Sequence, residues 1–299
     1  MSDVRGEEGR ITLRDGRTLG YAGYGDPGGV PLFFFHGTPG CRFRSRADDP
    51  AARELGMRVI MPERPGYGLS DPHPRGSMPT WADDVAQLAD RLGIGAFGVA
   101  GASGGGPFVA ACAHALAPRL TCAVMVSSAS PVDAPEVWRT LSTANRLKFL
   151  APRHAPWLLR WDAELVARLV RRRPEAFVRL MAVQMSPADR RLFHAEDRKE
   201  PLARFLRECF RQGAAGLAAD LRAVSRPWGF DPAAIRMPVH VWHGEDDGMA
   251  PVAMGRYLAR TIPRARARFF PGEGHLLVAS GARWRELLET VAGAVAQAA

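Results

Sequence analysis

The run Phe97-Gly98-Val99-Ala100-Gly101-Ala102-Ser103-Gly104-Gly105-Gly106 constrains this chain more than any other stretch. An apolar segment of strand length enters Gly-x-Ser-x-Gly, and a helical pattern over residues 107–116 leaves it at once. A serine hydroxyl attacks poorly unless it is held exposed, beside a base and clear of bulky neighbours. A sharp strand-to-helix turn meets those needs. It also requires small residues two before and two after the serine, which Gly101 and Gly105 supply. The helix that starts there aims backbone N–H groups at negative charge forming beside Ser103. A glycine-rich turn with an incidental serine has the same pattern, so the rest of the chain must decide its meaning.

Alternation around Asp15-Gly16 predicts a β-hairpin over residues 10–22. Residues 31–35 are a continuous apolar run, the mark of a strand covered on both faces. A helix over 47–55 and a strand over 57–61 follow. Thr80 is placed to cap a helix reaching Leu92, with Asp83 as the reciprocal carboxylate. After the Ser103 segment comes another buried strand at 120–126. Such alternation predicts an α/β fold: a mostly parallel sheet with helices on both faces.

The rhythm stops at about Asp133. From there to Phe230 only helical patterns occur, broken at Pro152, Pro156, Pro174, Pro187 and Pro201. A block of helices inserted after a buried strand predicts a lid over the sheet's carboxyl edge. The sheet resumes with a strand at 239–242, a helix at 252–260, a strand at 267–270 and a last helix at 283–296. The expected domains are therefore a core of 1–132 and 231–299 and a helical lid of 133–230.

The chain of 299 residues carries a net charge of +9. Nearly all of that excess lies between residues 133 and 230, with 19 Lys and Arg against 11 Asp and Glu. The charges are interleaved with apolar residues at helical spacing and accompany no nucleic-acid motif, so a solvated helix face is expected rather than a nucleic-acid partner. No stretch approaches the ~20 consecutive apolar residues of a membrane span, and no membrane partner is expected. The polar start lacks a signal-peptide core. Cys41, Cys112, Cys122 and Cys209 form no Cys-x-x-Cys pair. A cytoplasmic protein is the expectation.

Ligands of an open α/β sheet bind at the carboxyl ends of its strands. Four polar stretches fall there: residues 36–40, Ser103, 243–248 and 272–275. Together they hold the parts that acyl transfer requires, a nucleophile, a base, an orienting acid and oxyanion donors, in the chain order Ser, Asp, His. No metal or cofactor is called for.

With these stretches the chain resembles the α/β-hydrolase fold superfamily. The matching motifs are His36-Gly37-Thr38-Pro39-Gly40, Arg64-Pro65-Gly66-Tyr67-Gly68-Leu69-Ser70, Gly101-Ala102-Ser103-Gly104-Gly105, His243-Gly244-Glu245-Asp246-Asp247-Gly248-Met249-Ala250-Pro251 and Gly274-His275. Within it the chain is most similar to the esterase and proline-iminopeptidase branch. The resemblance implies an eight-stranded sheet, a helical lid and a Ser-Asp-His triad. Ser103 is the implied nucleophile. His275, in a glycine-flanked loop between the last strand and last helix, is the base, whereas His36 and His243 are placed to brace loops. The family spacing assigns the acid to Asp247; its neighbour Asp246 is the alternative, and Glu245 a more distant one. The oxyanion donors are the backbone N–H groups of Thr38 and Gly104, and Arg64 is expected to tie down a loop.

The implied reaction is hydrolysis of a small-molecule ester, medium-sized and partly hydrophobic, through an acyl-enzyme. A serine at 103 excludes the aspartate-based haloalkane dehalogenase and epoxide hydrolase reactions. Three alternatives stay open: a proline-iminopeptidase-like aminopeptidase using Glu196, Asp197 and Glu200 for the substrate amine, non-hydrolytic or carbon–carbon chemistry on the same triad, and a non-catalytic ligand-binding protein. Most of Trp138, Trp157, Trp161, Phe149, Phe177 and Phe205 are expected to pack lid helices together, with some lining an apolar cleft.

Overall fold

Residues 31–35 are apolar at every position, and the sheet explains why. In the computed structural model, which describes residues 7–43, 49–154, 156–193 and 199–296, they fall within β3 (Val30–Phe35), a central strand. Successive side chains of a strand point to opposite faces. Phe33 and Phe35 enter one core, and Leu32 and Phe34 enter the other. Both faces are covered, so neither parity can be polar.

Around β3 the sheet has eight strands. β1 (Glu7–Thr12) and β2 (Thr18–Gly25) form the antiparallel hairpin, with Thr12 opposite Thr18 and Gly16 at a φ of 86° in the turn. β2 pairs antiparallel with β4 (Met57–Pro62). From β4 the order runs through β3, β5 (Phe97–Ala102), β6 (Leu120–Val126), β7 (Val239–Gly244) and β8 (Ala265–Phe270), all parallel. The strand expected at 267–270 thus begins two residues earlier.

Helices cover both faces. α1 (Asp49–Glu54) packs on β2 and β4, α2 (Met78–Arg91) and α3 (Gly106–Ala115) pack on the Phe33 side, and the chain's last two helices close opposite faces. Residues 47 and 48 of the expected first helix lie outside the described residues. The cap of α2 differs from expectation. Ser77 is the N-cap, and Thr80 is its reciprocal partner: the Thr80 N–H donates to Ser77 Oγ and the Ser77 N–H to Thr80 Oγ1. Asp83 instead accepts from Gln87 Nε2 one turn on, at 2.8 Å. Pro79, at the second helical position, fits this earlier start, because a first-turn N–H needs no intrahelical acceptor.

Between β6 and β7 the described residues hold seven α-helices and no strand: α4 (Pro135–Trp138), α5 (Thr143–His154), α6 (Pro156–Arg172), α7 (Pro174–Ala182), α8 (Pro187–Phe193), α9 (Lys199–Cys209) and α10 (Ala215–Val224). Pro156, Pro174 and Pro187 open helices, and Pro201 sits in the first turn of α9. Pro152 does not break α5, which ends within one turn of it. The insert has a core of its own around Leu159, Val170, Phe177, Phe210 and Leu217, seated on Cys41 and Tyr67. α11 (Val252–Thr261) and α12 (Gly281–Ala296) complete the chain.

Candidate active site

Four strands end at one rim, and each delivers one stretch singled out in the sequence. Ser103 follows β5 at a φ of 55°, a left-handed value that non-glycine residues seldom adopt. The flanking glycines let the turn close. A β-carbon on Gly101 would lie 2.8 Å from the Gly105 carbonyl oxygen and 2.9 Å from Val109. One on Gly105 would run into the carbonyls of Phe35 and His36.

His275 lies in the loop between β8 and α12, 172 residues from Ser103. Its Nε2 is 2.9 Å from Ser103 Oγ, and its Nδ1 is 2.8 Å from Asp247 Oδ2. A carboxylate accepts only, so Nδ1 carries the proton and Nε2 is left to accept from the serine. Asp247, after β7, is fixed on its other oxygen: Oδ1 accepts the N–H groups of Met249 (2.9 Å) and Ala250 (2.8 Å). Asp247 and His275 are both buried. Burial pushes the Asp247 carboxyl up, but the His275 charge and hydrogen bonds from His243 and His275 outweigh it, holding Asp247 well below the usual carboxylate range. Asp246 is exposed, and only its N–H turns inward, to the Glu273 carbonyl at 3.0 Å. Glu245 reaches out to Arg256.

His243 and His36 brace loops. His243 Nε2 is 2.8 Å from the Ala250 carbonyl and 3.3 Å from Asp247. His36 Nε2 accepts the Arg64 backbone N–H at 3.1 Å, and its Nδ1 donates to the Gly37 carbonyl at 2.8 Å. The Arg64 guanidinium donates to the carbonyls of His36 and Gly37, pinning the loop that carries Thr38. That loop lies on the serine turn: a β-carbon on Gly37 would be 3.4 Å from that of Ser103, and one on Gly104 would be 2.9 Å from that of Thr38.

Burial, then the Arg64 charge, hold the His36 pKa well below its ordinary 6.5, against the opposing Gly37 bond. The unfolded chain therefore binds the extra proton first. Stability from this group is intact above about pH 6.5 and falls as the pH drops below it, by up to about 1.4 kcal/mol per pH unit. Denaturant unfolding between pH 7.5 and 5.5 should show this slope, and His36→Gln should make it shallower.

Two buried insert carboxylates escaped sequence reasoning. Asp220 of α10 takes both Arg64 Nε (2.9 Å) and Nη2 (2.6 Å), the Thr38 hydroxyl (2.6 Å) and the Tyr67 hydroxyl (3.0 Å). Asp189 of α8 accepts the backbone N–H groups of His275 (2.9 Å) and Leu276 (2.8 Å). Ser186-Pro187-Ala188-Asp189 is legible as a capping box, and it is one, with Ser186 Oγ accepting the Asp189 N–H. Nothing in that pattern reveals the second use of the carboxylate, 86 residues away.

The sequence profile of the alpha/beta hydrolase fold matches residues 30–282. This chain belongs to the alpha/beta hydrolase fold family. A non-heme chloroperoxidase of Streptomyces lividans is 37% identical over 131 residues, and a bifunctional esterase/perhydrolase of Acinetobacter calcoaceticus is 32% identical over 134. Each match takes in 42% of this chain and 46% of the relative, so the chain spans about half the length of the curated relatives it matches. A thermophilic esterase of Thermogutta terrifontis superposes with a TM-score of 0.64 at 25% identity, covering 97% of both chains. For this alpha/beta hydrolase the suggested amine-binding residues Glu196 and Asp197 lie outside the described residues, as does the side chain of Glu200.

Proposed function

We propose that this alpha/beta hydrolase is a serine esterase. The observation that carries the reading is the unbroken relay of Ser103 Oγ, His275 and Asp247, two contacts of 2.9 and 2.8 Å between residues that follow three separate strands. His275 Nε2 takes the Ser103 proton as the oxygen attacks an ester carbonyl. The N–H groups of Thr38 and Gly104 receive the oxyanion. His275 then gives its proton to the departing alcohol, leaving an acyl-serine, and water cleaves that with His275 again as base. Asp247 holds the tautomer and stabilises the imidazolium. Residues 133–230 form the lid, whose two buried carboxylates anchor the loops of Thr38 and His275.

A fluorophosphonate should modify Ser103 alone, and p-nitrophenyl esters should turn over where prolyl arylamides do not. Absence of both labelling and turnover would favour a binding protein. The chloroperoxidase and esterase/perhydrolase relatives favour one extension, attack of hydrogen peroxide rather than water on the acyl-serine, giving a peracid and free Ser103. Peracid formed from ester and peroxide in the same assay would establish it.

Asp189 offers a graded test. In Asp189→Asn one of the two oxygens becomes an NH2 group, which must face a backbone N–H of residue 275 or 276. The imidazole then shifts relative to Ser103. We expect kcat to fall about 10- to 100-fold with KM nearly unchanged, and fluorophosphonate labelling to slow in parallel. A lowered melting temperature with an unchanged labelling rate would mean that Asp189 only stabilises the fold.

A further inference from the structure

The insert's positive charge and its indoles play no part in the site, and α6 brings them together. One face of α6 carries Leu159, Ala163, Ala167 and Val170 into the insert's core. The opposite face is apolar as well: Trp157 is 72% exposed, Trp161 70% and Leu165 55%. At 3.6 residues per turn, positions four apart form one stripe, and this stripe points away from the buried one. Most of the insert's aromatics are expected to pack lid helices together, and these two indoles are exceptions. Phe149 and Phe177 do pack, but α6 has a second apolar face turned to solvent. The other large exposed apolar residues of the described chain, Leu147, Leu180 and Val183, lie on or just after α5 and α7, the helices packed against α6. An exposed apolar stripe of this kind marks an interaction site rather than ordinary solvent-facing structure.

The charge around the stripe has one dominant sign. Beyond Leu165 the same side of the helix continues into Arg168, Arg171 and Arg172, and Arg160 borders Trp157 and Trp161, all four exposed. Glu164 lies among them, 3.4 Å from both Arg168 and Arg171, and the exposed Asp162 borders Leu165 on the other flank, so four arginines outnumber two acids on the outer face. The helix is thus a tryptophan–leucine ridge bordered on one flank and at its C-terminal end by arginines.

We propose that the outer face of α6 docks on the surface of an anionic lipid bilayer. Indoles settle at the boundary between headgroups and acyl chains, where an apolar body and an N–H are both accommodated. Guanidinium groups beside the ridge meet the lipid phosphates, and the two effects reinforce one another. A second copy of this chain fits less well. A two-fold contact through the ridge brings together two faces of the same net positive charge, which disfavours it. Among the described residues no helix is long and apolar enough to cross a membrane; a contact from one side needs none. The proposal is independent of the esterase reading, since it draws on no residue of the Ser103 site.

Sedimentation of the full chain with vesicles tests it. Vesicles of phosphatidylcholine with phosphatidylglycerol should bind at least about tenfold more protein than phosphatidylcholine alone, and salt should weaken the difference. Replacing Arg168, Arg171 and Arg172 by Gln should lower the partition about a hundredfold, at about fivefold per charge. Trp157→Ser with Trp161→Ser should lower it at least about tenfold, with melting temperature and Ser103 labelling unchanged. If that variant does not fold, quenching of wild-type tryptophan by lipids brominated on the acyl chain replaces it, and quenching is expected only in anionic vesicles. The proposal is overturned by equal binding to both vesicle types, by no binding, by undiminished binding of the tryptophan variant, or by absence of quenching. It is also overturned if light scattering shows a concentration-dependent dimer that the tryptophan substitutions abolish.

Discussion

Ser103→Ala is expected to lower kcat on a p-nitrophenyl ester by about 10³ to 10⁶ and to abolish fluorophosphonate labelling. The substitution removes one oxygen, the atom 2.9 Å from His275 Nε2, and nothing else. Alanine has the same β-carbon as serine, so the strain of a φ of 55° is the same in both, and the turn gains no reason to relax. KM should stay within a few-fold, because the hydroxyl acts on the reacting carbon rather than on the bound ester. What remains is the effect of the oxyanion donors and of orientation, which accounts for the width of the range. A variant with wild-type turnover and an intact fold would remove Ser103 from the mechanism, and with it the esterase reading. A variant that has lost turnover together with its near-ultraviolet circular dichroism would report only on folding, so the two spectra belong beside the kinetics.

The parts of this site legible in the sequence are those held by local geometry. A strand entering Gly101-Ala102-Ser103-Gly104-Gly105 has few ways to turn into a helix, and Gly105 records the close approach of the Phe35 and His36 carbonyls. A covered, mostly parallel sheet could likewise be inferred, because apolar runs of five or six residues between helical patterns leave little else. What stayed hidden depends on contacts between remote segments. Asp220 and Asp189 are single acids in helices of mixed charge, and only burial against Arg64 and against the His275 backbone distinguishes them. The exposed ridge of α6 was hidden for the opposite reason. Its indoles stand at helical spacing like core residues, and the helix has apolar residues all round, so periodicity alone cannot tell which face is covered. Ser77 took the cap expected of Thr80 because the two residues satisfy each other's backbone, a reciprocity that either could have opened.

Asp247→Asn and Asp246→Asn separate two adjacent carboxylates whose environments differ completely. In Asp247→Asn the amide must choose an orientation, and both choices fail. If its NH2 takes the place of Oδ2, it faces His275 Nδ1. The imidazole must then carry its proton on Nε2, where it points at Ser103 and cannot accept the serine's proton. If the amide turns over so that its oxygen keeps the His275 bond, its NH2 faces the N–H groups of Met249 and Ala250, 2.9 and 2.8 Å from the present oxygen. That orientation leaves two donors without an acceptor in a buried corner, and losing one such acceptor alone costs about 1–3 kcal/mol. The first orientation therefore prevails, and kcat should fall by about 10⁴, the loss typical when an orienting aspartate is made an amide and the tautomer is reversed. Asp246→Asn changes only an exposed side chain, and the N–H that binds the Glu273 carbonyl is retained, so its kcat/KM should stay within about twofold. Steady-state kinetics of the pair at pH 8 decide the matter. Equal losses in both variants would mean that the loop, and not the Asp247 carboxylate, sets the activity of His275.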